Sequence, residues 1–140
     1  MDDISEDLRR VPLFADLDRR QLKRLAGRLR ERTLPPGTTP LEEGTMSGIG
    51  FFVIAAGEAT VSVAGKTVAT LGPGDHFGEL ALVSQGKRTA TVTANDDLRV
   101  YEIPFYDFHE FAMANPDVTW KLLQHVVALL YPETQDSPSD

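Results

Sequence analysis

Apolar residues recur along this chain at two different periods. Leu22, Leu25, Ala26 and Leu29 keep the three- and four-residue spacing of one helix face, while Arg20, Lys23, Arg24 and Arg28 fill the other. Asp18 stands where an N-cap belongs and Pro35-Pro36 stops a helix, so residues 8–34 read as a helical segment. After Leu34 the texture changes. Ten of the eleven glycines fall between Gly37 and Gly86, and Gly37, Gly44, Gly50, Gly57, Gly65, Gly72 and Gly78 follow one another every six to eight residues. Between them lie the short β-prone runs FFVIAA, ATVSVA and KTVATL, and TATVTA and LRVYEI carry the pattern to Ile103. Regular turns between short strands predict an all-β barrel or roll over residues 35–103.

Helical spacing returns after Ile103. Pro104 suits a first helical turn, and Phe105, Phe108, Phe111 and Ala112 form an apolar stripe that Asn115-Pro116 interrupts. Asp117 favours the start of a second helix, whose buried face is Val118, Leu122, Val126 and Leu129–Leu130. Residues 104–131 therefore read as two C-terminal helices. The acidic residues 1–7 read as an N-terminal tail, and 132–140, PETQDSPSD, as a disordered one.

Composition narrows the class. A chain of 140 residues suits one domain, here residues 8–131, and 41% apolar with 25% charged residues is ordinary for a soluble globular protein. The lack of cysteine excludes disulfides, thiolate catalysis and cysteine-ligated metals. No apolar run approaches the roughly 18 residues of a membrane span, and an acidic N-terminus does not resemble a secretory signal. A soluble cytoplasmic protein without membrane contact is expected. The net charge of -7 argues against a nucleic-acid surface. That charge is uneven: residues 8–32 hold nine Lys/Arg against Asp16, Asp18 and Glu31, leaving the remainder at -13. Such a basic N-terminal helix is either a surface for a protein partner or a solvated face that meets the acidic remainder of its own chain.

The stretch from Gly72 to Ala94, GPGDHFGELALVSQGKRTATVTA, carries chemical information. Gly78-Glu79-Leu80-Ala81-Leu82-Val83 leaves a turn and enters a short helix former. The first N–H groups of a helix lack internal partners and lie at its positive end, so they make a small anion cradle. Gly78 lets backbone approach a ligand closely. Glu79 is a hydroxyl acceptor, and Arg88 is a planar, permanently charged fork suited to phosphate. One cradle, one guanidinium and one hydroxyl acceptor match a phosphate beside a ribose. From these residues alone, a Glu–Arg ion pair across a turn, with glycines that serve turns only, is the favoured reading.

The segment FGELALVSQGKRTATV resembles the phosphate-binding cassette of the cyclic nucleotide-binding domain family. The family pattern Gly-Glu-Leu-Ala/Gly-Leu, a short loop, then Arg, small, Ala, small, Val is met by Gly78, Glu79, Leu80, Ala81 and Leu82, then Arg88, Thr89, Ala90, Thr91 and Val92. LEEGTMSGIGFFVIAAGEATV and PLFADLD are similar to the family's upstream turns, strand and helical segment. The resemblance implies a mainly β fold: an eight-stranded antiparallel β-roll, jelly-roll-like, with an N-terminal helix and two C-terminal helices. It implies a cyclic purine nucleotide as ligand, with no other cofactor, no metal and no catalysis. Glu79 would accept from the ribose 2′-OH, and Arg88 with the N–H groups of Leu80 and Ala81 would hold the phosphate. Val61 and Val68 would face the purine, and Thr89 would lie near phosphate and base. Arg-Thr resembles cGMP-preferring members. Yet Arg outnumbers Lys ten to four, which suggests a GC-rich bacterial genome and favours cAMP.

Two features depart from the family. Many members cap the purine from the last helix, where this chain offers only Leu129, Leu130 or Tyr131. No recognition helix or kinase follows either, so a sensor module without its own catalytic or DNA-binding domain is expected. The competing readings are an interaction domain that has lost nucleotide binding and a cupin-like enzyme. The latter needs clustered histidines, whereas His76, His109 and His125 are scattered, with His76 expected in a solvent-facing loop.

Overall fold

The computed structural model describes residues 3–40, 50–78 and 90–130. Helix α1 (Asp3–Arg9) and a 3-10 turn (Pro12–Phe14) lead into α2 (Arg19–Ala26). Seven strands follow among the described residues: β1 (Arg30–Leu34), β2 (Gly50–Ala56), β3 (Ala59–Val63), β4 (Lys66–Leu71), β5 (His76–Phe77), β6 (Thr91–Ala94) and β7 (Leu98–Pro104). Helices α3 (Phe105–Ala114) and α4 (Pro116–Leu130) complete them.

Every strand pairing is antiparallel, and the strands form two sheets, ordered β1-β7-β2-β5 and β4-β3-β6. The fold is thus mainly β with flanking helices, as expected. Period-two alternation explains how one sheet serves two cores. Phe51 and Val53 of β2 and Tyr101 and Ile103 of β7 face the helices, where they join Leu8, Phe14, Leu22, Leu25, Phe108, Phe111 and Leu122. Phe52 and Ile54, with Leu98 and Val100, face inward to Leu34, Ala59, Phe77, Val92 and Ala94. Burial of β2 on both faces is why FFVIAA is a continuous apolar run rather than an alternating one.

Three expectations are corrected. Residues 1–7 are not a tail from Asp3 onward: they belong to α1, whose Leu8 is fully buried. Asp7 accepts a 2.6 Å hydrogen bond from the Tyr101 hydroxyl, tying α1 to β7. Burial first, then Asp7, pushes the Tyr101 phenol up to about 12. The helical segment also does not reach Leu34. The Asp18 cap is present as a reciprocal capping box with Gln21, but α2 ends at Ala26 before Gly27. Arg30–Leu34 instead pairs with β7 as an edge strand, held across the sheet by Arg32–Glu102 at 3.1 Å and Arg99–Glu31 at 2.9 Å. The roll therefore begins at Arg30 rather than at residue 35. Finally, the nine cations do not form one helix face, because Arg28 pairs with Asp107 and Glu110 of α3 while Arg30 and Arg32 lie on β1.

Candidate functional site

The chemical stretch enters from the four-stranded sheet. Gly72 N–H donates to Asp75 Oδ2 at 2.8 Å, closing a turn. The turn is stitched to β2 by Gly74 N–H to the Ile54 carbonyl at 3.0 Å and by Ile54 N–H to the Asp75 carbonyl at 2.9 Å. Strand β5 then pairs with β2, and the Phe77 ring stacks on Phe52 with centroids 4.9 Å apart. Gly78 follows at φ +95°, a left-handed conformation that a side chain rarely adopts. The backbone up to Gly78 is therefore fixed by two strands and one aromatic stack.

The stretch leaves into the other sheet. Ala90 leads to β6, whose Val92 lies opposite Val61 of β3. Val61 also lies opposite Ala69 of β4, and Ser62 opposite Thr67, so Val68 is the extra residue of a β-bulge. Val61 is half-buried beside the inner core, and Val68 is 59% exposed. Of the predicted site residues, Val61 and Val68 stand on the paired strands β3 and β4, and Gly78 directly follows β5, the edge strand of the other sheet. Glu79, Leu80, Ala81, Arg88 and Thr89 lie outside the described residues, as does Tyr131.

Residues 31–115 match the cyclic nucleotide-binding domain. The chain belongs to that family. It is 41% identical over 95 residues to the cAMP-dependent protein kinase regulatory subunit of Yarrowia lipolytica, which covers 66% of this chain and 25% of that protein. The domain is also similar to the cAMP-bound PfPKA-R structure, at TM-score 0.80 and 26% identity over 94% of this chain and 45% of that one. The catabolite activator protein of Thermus thermophilus matches at TM-score 0.75 and 25% identity, covering 89% of this chain and 60% of that one. The cyclic nucleotide-binding domain described here thus spans about a quarter of its curated kinase relative. A regulatory nucleotide-binding fold, rather than an enzyme scaffold, is what the family supplies.

One contact of the domain was missed in the sequence. His76 is not in a solvent-facing loop but in β5, half-buried, stacked on Phe51 at 5.1 Å and set against His125 of α4 at 4.5 Å. His125 follows Leu122 by three residues and precedes Val126, so its place on the buried stripe of α4 was readable. His76 carries no comparable signal, because a two-residue strand has no periodicity. The last helix therefore touches the roll two residues before Gly78. Among the described residues, no group of three or more metal-ligating side chains accompanies this pair. No helix among them is long and apolar enough to cross a membrane.

Proposed function

We propose that this domain is a cytoplasmic sensor that binds a cyclic purine mononucleotide, cAMP in preference to cGMP, and performs no catalysis. The observation that carries the reading is the cassette Gly78–Leu82 and Arg88–Val92, which spans the connection from β5 to β6 in a chain of the cyclic nucleotide-binding family. The regulatory-subunit relative and the cAMP-bound neighbour support the choice of ligand.

In this reading Arg88 and the N–H groups of Leu80 and Ala81 neutralise the cyclic phosphate, whose single negative charge suits one guanidinium and a helix start. Glu79 accepts from the ribose 2′-OH. Val61 and Val68 meet the purine, and Thr89 lies near phosphate and base. Gly78 keeps the backbone close to the sugar. The His76–His125 contact then offers a route by which occupancy reaches α4, since a ligand shifts only states that differ in affinity for it.

Removal of the guanidinium tests the assignment. A hydrogen bond to a charged group contributes about 1.5–3 kcal/mol, so Arg88→Ala should weaken cAMP binding by roughly tenfold to a hundredfold or more while the fold persists. Unchanged affinity in a folded Arg88→Ala variant, measured by calorimetry, removes Arg88 from the site. Absence of binding in the unmodified chain favours an interaction domain that has lost its ligand.

A further inference from the structure

Helix α2 carries a cationic face that has no acidic partner among the described residues. At 3.6 residues per turn, Arg19, Arg20, Lys23 and Arg24 occupy an arc of about 140°, opposite the buried Leu22 and Leu25. All four are exposed, and none has an ion pair among the described residues. Their neighbours behave otherwise: Arg28, Arg32, Arg99 and Lys121 are each matched to an acid.

The cations of this face repel one another. Arg19 and Arg20 sit at the positive end of the macrodipole next to the capping Asp18 carboxylate, while Lys23 and Arg24 lie in the last turn, where the dipole favours them. Arg19–Lys23 and Arg20–Arg24 are like-charged pairs at i,i+4, which is an unfavourable spacing for equal charges. A chain with 21 acidic residues had the means to match them, as it does for Arg28. The face instead costs the free domain stability, and an external carboxylate-rich partner would remove that cost.

We infer that this face docks an acidic peptide segment of a partner protein. The helix is about 12 Å long, which suits a few carboxylates on one or two turns of a partner chain. It does not suit a polyanion. The chain's -7 repels a nucleic acid beyond that short patch, and Asp107 and Glu110 beside Arg28 bound it on α3. Nor does it suit a lipid surface, because the apolar side of α2 is spent on the core. The inference stands apart from the nucleotide site, since it uses none of its residues.

The test uses the whole chain and a labelled twelve-residue peptide with six glutamates in adjacent pairs, followed by fluorescence anisotropy at 50 mM salt. Saturable binding is expected. It should fall by roughly tenfold or more in the triple variant Arg20→Glu/Lys23→Glu/Arg24→Glu and less in the corresponding glutamine variant. The glutamine variant, which removes both like-charged pairs, should unfold at or slightly above the parent's temperature, and both variants should keep the parent's cAMP titration. A twelve-nucleotide RNA and phosphatidylserine vesicles should bind more weakly than the peptide. No peptide binding, equal binding by the folded triple variant, or tighter binding of RNA or vesicles would each overturn the inference.

Discussion

The rings of His76 and His125 lie 4.5 Å apart and are tilted by 55°, joining strand β5 to the last helix. Ring pairs at this separation contribute about 0.5–1.5 kcal/mol beyond the area that they bury. A double-mutant cycle of His76→Ala and His125→Ala, read by urea unfolding, should return a coupling of that size. Additive effects would show that the two rings are not energetically coupled.

Gly57 gives the sharpest backbone prediction. It sits at φ +96° between β2 and β3, and a Cβ there would lie 2.5 Å from the Asp97 carbonyl oxygen and 3.0 Å from the Leu98 Cα. Backbone cannot swing aside as a flexible side chain can. The same turn is tied by Glu58 N–H to Asp96 Oδ1 at 2.8 Å and by Asn95 N–H to the Glu58 carbonyl at 2.9 Å. Gly57→Ala should therefore lower stability by about 1–3 kcal/mol through backbone strain, before the clash is added. A thermal midpoint equal to that of the parent would contradict it.

Tyr101 supplies a pH signature at the alkaline end. Its phenol is raised from an ordinary 10.0 to about 12, by burial and then by the hydrogen bond to Asp7. The folded state thus keeps its proton where the unfolded chain has lost one. Stability from this group is complete below pH 10 and falls as pH rises from 10 toward 12. In Tyr101→Phe that part of the decline should disappear from the stability–pH profile. An unchanged profile would mean that the phenol is not held by the fold.

Glu79 has its own test on the ribose. Glu79→Ala should weaken binding of cAMP more than binding of its 2′-deoxy analogue, because only the parent offers the 2′-hydroxyl from which Glu79 is proposed to accept a hydrogen bond. The difference should be of the order of 1 kcal/mol or more, which calorimetry resolves. Equal losses for both ligands would remove Glu79 from the ribose.

Much of this fold was legible because local signals and packing agree. The runs FFVIAA, ATVSVA, KTVATL and LRVYEI are all strands, and Asp18 caps its helix as its position implied. The misreadings came where local chemistry was outvoted by distant partners. Arg30-Glu31-Arg32 has little β character by itself and becomes a strand because Glu102 and Arg99 wait opposite. An acidic start looked like a tail because nothing local reveals that Asp7 meets Tyr101, 94 residues away. At the site, Val61 and Val68 fall on the strands that ATVSVA and KTVATL implied, whereas β5 before Gly78 and the His76–His125 contact depend on how distant elements lie on one another.

The central claim is that the connection from β5 to β6 binds one cyclic phosphate monoanion. Titration of the purified chain with cAMP, cGMP and AMP in a calorimeter tests it most directly. The account predicts saturable one-to-one binding of a cyclic nucleotide, tighter for cAMP than for cGMP, with the dianionic AMP bound more weakly than either. Heats indistinguishable from dilution for both cyclic nucleotides would contradict it.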